Sequence, residues 1–158
     1  MKNIILIIFL MTLLSASAFS QNASLNMNIQ KIENTDNWEF MLEYTFSSAV
    51  DSGIFIELPA NLAATPVSIN LNNTEMWLKN SNEIPANDSA VYWEALENGI
   101  ILRFNSDLIQ ANSRISVKCI SQVSQNLSDD ANISIKRMQN RSEISNEIIA
   151  SNNLNITQ

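Results

Sequence analysis

Apolar and polar residues take turns along most of this chain. Leu25, Met27 and Ile29 alternate with Asn26, Asn28 and Gln30. A period of two is the mark of a strand with one buried face. The clearest run follows, with Trp38, Phe40, Leu42, Tyr44 and Phe46 on one side and Glu39, Met41, Glu43 and Thr45 on the other. A slip of one residue would turn all those large side chains to water, so the register is strongly specified.

The pattern continues downstream. Ile54, Ile56 and Leu58 predict a third strand that stops at Pro59. Val67, Ile69 and Leu71 predict a fourth, introduced by Pro66, and Met76 with Leu78 a short fifth. Val91 and Trp93 open another strand, and Ile100, Leu102 and Phe104 return from it after Glu97-Asn98-Gly99. Asn-Gly between alternating runs is a strong hairpin signal, because both residues accept positive φ. Residues Gln110 to Ser113 form a second turn, leading into a strand from Ile115 to Val123. Ala131, Ile133 and Ile135 follow. Ile148, Ala150, Leu154 and Ile156 close the chain, with Asn152 breaking the apolar face; residues 142–150 read alternatively as a short helix. Strand after strand with short connections implies an all-β, antiparallel sandwich or barrel of about 8–10 strands.

The first twenty residues obey a different rule. Met1-Lys2-Asn3 is a short basic start, Ile4 to Leu14 is almost wholly apolar, and Ser15 to Ser20 are mostly small. This is the layout of a secretory signal peptide. The run is too short for a spanning helix, which takes roughly 17–25 residues. Small residues allow cleavage after Ala18 or after Ser20, the second leaving Gln21 first. The expected organisation is therefore a signal peptide over 1–20 and one domain over 21–158, secreted to the periplasm, the cell surface or the medium. No later segment is apolar enough to span a membrane.

Composition narrows the chemistry. Lys and Arg number 9 against 16 Asp and Glu, for a formal net charge of −7. That argues against nucleic acid, whose binding rests on neutralising phosphates. Histidine is absent, which removes His-based triads and His-ligated metals. Gly53 and Gly99 are the only glycines, so there is no Gly-rich phosphate loop. Asparagine, which tolerates the left-handed conformation, is expected to take over glycine's turn positions. Cys119, the single cysteine, continues the apolar alternation Ile115, Val117, Cys119 and reads as a small buried hydrophobe. Glu39 and Glu43 share one strand face, which reads as solvated rather than catalytic. No cofactor is expected. Calcium is the one ion with a candidate ligand set, from Asp129-Asp130, Asp88 or Asp51. If Met76/Leu78 and Val91/Trp93 face inward, Trp77 and Tyr92 face outward, and two exposed rings on adjacent strands would make a platform for a sugar ring or a protein partner.

One stretch resembles a known family. The strand ending Glu43-Tyr44-Thr45-Phe46, followed by Ile54-Phe55-Ile56-Glu57-Leu58-Pro59-Ala60-Asn61-Leu62, is similar to the Ig-like repeat domains of bacterial surface proteins, where a strand typically ends in Leu-Pro-x-Gly-Leu. Trp93, the turn from Asp107 to Arg114 and the segment Ser145 to Ala150 resemble later landmarks of those domains. Asn61 stands where that family has glycine. The resemblance implies an Ig-like β-sandwich and a surface or secreted setting, with no catalytic residue to carry over. The expected function is a non-enzymatic structural or adhesive module. The alternatives are a carbohydrate-binding module using Trp77 and Tyr92, or an assembly partner that pairs through a sheet edge near Leu154 and Ile156.

Overall fold

The structure, a computed structural model, describes residues 24–60, 62–105, 107–123 and 131–157. The signal peptide expected over 1–20 lies outside the described residues, as does the Asp129-Asp130 pair. The strands are β1 (Leu25–Lys31), β2 (Asn37–Thr45), β3 (Gly53–Glu57), β4 (Leu62–Leu71), β5 (Thr74–Glu75), β6 (Trp77–Asn80), β7 (Ala90–Leu96), β8 (Gly99–Arg103), β9 (Arg114–Val123), β10 (Asn132–Gln139), β11 (Glu143–Asn153) and β12 (Asn155–Thr157). They form two six-stranded sheets, β12-β1-β2-β9-β4-β5 and β11-β10-β3-β8-β7-β6, here termed the first and second sheet. Most neighbours are antiparallel; β1/β12 and β6/β7 are parallel.

The alternation places the core as expected. Ile29, Phe40, Leu42, Ile115 and Val117 of the first sheet meet Ile54, Ile56, Ile100, Leu102 and Ile135 of the second in one buried layer. Cys119 lies in that layer, and burial pushes its thiol far up from the ordinary range. A thiol held protonated is a poor nucleophile.

The strand count exceeds expectation because two expected strands each divide between the sheets. The expected fifth strand divides at Met76: β5 ends the first sheet and β6 begins the second. The closing run divides at Leu154 in the same way, with β11 at the edge of the second sheet and β12 alongside β1 in the first. Each crossing buries one apolar residue, Met76 or Leu154, at the rim of the core. Asn152, which interrupts the apolar face, donates its Nδ2 to the Leu25 carbonyl at 2.6 Å and ties the two sheets together.

Three local readings need correction. Val67 does not face inward but is 45% exposed. A bulge between Pro66 and Ser68 shifts the register of β4 against β9, so the buried set changes from Leu62, Ala64 and Pro66 to Ile69 and Leu71. The β7–β8 hairpin exists, but its turn is Glu97–Asn98, with Leu96 paired to Gly99. Positive φ falls instead at Asn34, Asn72, Asn73, Asn112, Asn140 and Arg141, so asparagine does replace glycine in turns, though not at that hairpin. Residues 143–150, within the segment read alternatively as a helix, belong to strand β11.

Candidate binding surface

Both candidate aromatics lie on the outer face of the second sheet, where β6 and β7 run parallel. The register pairs Trp77 with Ala90 and Lys79 with Tyr92. The two rings therefore do not stand side by side. Trp77 is 61% exposed, whereas Tyr92 is 4% exposed. Lys79 lies over the Tyr92 ring with its Nζ 5.2 Å from the centroid, a cation–π arrangement. The expected two-ring platform is thus absent: the lysine roofs one ring, and only Trp77 meets water. Ile84, in the connection that follows β6, is 62% exposed.

Further across the same face the packing is unusual for an outer surface. Phe55, Ile101 and Met138 form a second buried apolar cluster, separate from the main core. Both faces of β3 and β8 are consequently buried. Gly99 makes room for it. A Cβ on Gly99 would come within 2.7 Å of the Phe55 ring, and one on Gly53 would meet the backbone of Leu102 and Arg103. Gly53 pairs with Arg103.

Arg103 is itself buried on this face. Its Nη2 donates to Glu94 Oε2 at 2.7 Å, and its Nε donates to the carbonyl of Arg141 at 3.0 Å. That second bond fastens the tip of the β10–β11 hairpin down onto the sheet. Arg137 fixes the β2–β3 connection to the same hairpin, donating to the Ala49 carbonyl at 3.2 Å and to Ser48 Oγ at 3.0 Å. Between that connection and the hairpin tip lies a cleft of about 600 Å³, lined by Asp51, Ser52, Arg137, Met138, Asn140 and Arg141 among others. No signal in the hydrophobic pattern marks these arginines. The one clue is that Arg103 continues the outward set of β8 beside Ile101.

The remaining candidates are held in structural roles. Glu39 and Glu43, on the outer face of the first sheet, are paired with Lys118 at 2.6 Å and Arg114 at 2.8 Å. Among the described residues no group of three or more His, Cys, Asp or Glu could hold a metal ion, and Asp88 and Asp51 lie in different connections. The sheet edge expected near Leu154 and Ile156 is present: β12 is the edge strand of the first sheet, paired with β1 on its inner side, and Leu154 is buried. The other exposed edges are short, at 2 residues for β5 and 4 for β6, or interrupted, since β11 carries two register shifts against β10. Short and bulged edges resist pairing with a further strand.

No family model matches the chain, and no curated protein matches it. Among solved structures it is similar to the collagen-binding domain of a Staphylococcus aureus adhesin, at 9% identity and a TM-score of 0.46 over 86% of this chain and 99% of that one. It is similar to the collagen-binding subdomain of the Enterococcus faecalis surface protein ACE, at 11% identity and a TM-score of 0.47, covering 83% of this chain and 95% of the other. The major pilin subunit BcpA of Bacillus cereus gives 9% identity and a TM-score of 0.48 over 84% of this chain and 39% of that chain. An adhesin, a surface protein and a pilin are thus what the chain is similar to in outline.

Proposed function

We propose that this chain is a non-enzymatic β-sandwich module with a structural or adhesive role outside the cytosol, meeting its partner through the β6 side of the second sheet. The observation that carries this reading is the exposure of Trp77 and Ile84, on β6 and the connection that follows it. Trp77 and Ile84 are the most exposed of the large apolar side chains described, and bare apolar groups close together in the chain mark a contact surface. The layout of residues 1–20 supports export, and mass spectrometry of the secreted protein should then find Gln21 at its N-terminus.

The test uses the intact mature protein, immobilised and offered a glycan array and a panel of extracellular-matrix proteins. Saturable binding that disappears in Trp77→Ala, with an unchanged circular dichroism spectrum and melting temperature, is the expected result. Equal binding by the two proteins, or hydrolase turnover that depends on Glu39 or Glu43, overturns the reading. A second reading follows from Trp77 alone. One exposed indole can stack on a sugar ring without Tyr92, and signal confined to the glycan arm selects that version.

A further inference from the structure

Around the cleft beside the β10–β11 hairpin, three arginines each keep one side-chain N–H without a hydrogen bond. Four buried side-chain polar atoms among the described residues lack a hydrogen-bond partner, and three belong to arginines at this end of the second sheet: Arg103 Nη1, Arg137 Nε and Arg141 Nη1. Buried polar groups are nearly always satisfied, so a local group of unsatisfied donors calls for an acceptor. The carboxylates nearest Arg103 and Arg137 leave these atoms without a good hydrogen bond. Glu94 takes Arg103 Nη2 at 2.7 Å, and Glu147 stands 3.5 Å from Arg137 Nε, too far for a good bond. Arg103 is the deepest of the three, with its side chain 7% exposed.

Arg141 carries a second, independent mark. Among the described residues it is the one outside asparagine and glycine with positive φ, at 65°, directly after Asn140 at 49°. A hairpin turn of this kind favours glycine at its second position. Arginine there costs backbone strain, and such strain is tolerated where a side chain is needed. The backbone carbonyl of Arg141 does take the Arg103 Nε bond, but any residue would supply that carbonyl. What only arginine adds is the guanidinium lining the cleft with Arg137.

We propose that this cleft is a binding site for an oxyanion, a carboxylate or a phosphate, received by Arg141 and Arg137 with the Arg103 charge behind them. Guanidinium groups present paired donors that match such anions. Asp51 lines the same cleft, so its charge opposes the ligand and restricts the site to a compact anion. The site is separate from the Trp77 surface, and its test does not depend on that reading.

The experiment is an NMR titration of the mature protein, following the Arg Nε–Hε signals and the amides of 139–142. Inorganic phosphate and glutarate are the probes, with sodium chloride at matched ionic strength as the control. Saturable shifts with phosphate, glutarate or both are expected, and the tighter probe names the source of the oxyanion. Arg141→Gly should keep the fold, because glycine adopts positive φ freely, yet weaken binding about tenfold or more. Asp51→Asn should tighten it. Shifts reproduced by chloride, shifts that persist unchanged in Arg141→Gly, or no saturable response to either probe would each overturn the proposal.

Discussion

The two outer faces of this sandwich solve the same problem differently. On the first sheet the outward positions are mostly polar, as with Asn26, Asn28 and Gln30 on β1. Its charged residues pair across strands, Glu39 with Lys118 and Glu43 with Arg114. On the second sheet the central strands β3 and β8 bury both faces, under a second cluster of Phe55, Ile101 and Met138 and a buried Arg103. The first face needs only to be wet. The second has depth, and Gly99, beside the Phe55 ring, helps to create it. A face with depth can be shaped; a wet alternating face of ion pairs contributes little to stability and holds little geometry.

If that contrast is real, equal truncations on the two faces should have very unequal effects. Phe55→Ala removes a ring that is 1% exposed and should cost about 3–5 kcal/mol in urea-denaturation stability. Asn28→Ala, on the exposed outer face of the first sheet, should change stability by no more than about 0.5 kcal/mol. A loss below about 1 kcal/mol for Phe55→Ala would mean that the second cluster is not truly packed. Gly99→Ala comes next. Its Cβ would press on the Phe55 ring at 2.7 Å and on the Ile56 carbonyl, and overpacking of this kind costs about 1–3 kcal/mol. Combining it with Phe55→Ala separates the two contacts. If the ring is the main obstacle, the glycine substitution becomes nearly neutral in that background; if the carbonyl is, the cost persists.

These differences also mark how far the sequence could be read. The inward faces of β1, β2 and β9 follow directly from alternation, because one-sided burial writes a period of two into the residues. The doubly buried strands were legible in a weaker form. Ile54-Phe55-Ile56 and Ile100-Ile101-Leu102 are unbroken apolar runs, the pattern of strands covered on both sides. Alternation through the same residues hides that signal. Val67 was not legible, since a bulge reverses the inward set without leaving a periodic trace. Nor was the burial of Tyr92. It depends on β6 running parallel to β7, so that Lys79 rather than Trp77 stands beside the ring, and that pairing is set by a crossing between sheets. The arginine cleft was hidden for the same reason, because Asp51, Arg103 and Arg141 are distant in sequence and meet only after β10 has packed on β3.

Ion pairs offer a last and smaller comparison. Glu57, on the outer face of the second sheet, accepts from Lys136 Nζ at 2.8 Å through Oε1 and from Ser134 Oγ at 2.7 Å through Oε2. The bond from Lys136, and after it the bond from Ser134, favour the ionised carboxylate and hold it below its ordinary value of 4.5. A carboxyl depressed on folding contributes stability above its unfolded value and loses it as the pH falls through the folded one. The stability gap between wild type and Glu57→Gln should therefore be constant from neutral pH down to about 5 and close at lower pH. It should stay under about 1 kcal/mol, because the side chain is one-third exposed and solvent screens the pair. A gap that persists unchanged in acid would show that Glu57 acts through packing rather than charge. Stepwise removal of Lys136 and then Ser134 in a double-mutant cycle would assign the remainder, with the lysine expected to carry the larger share.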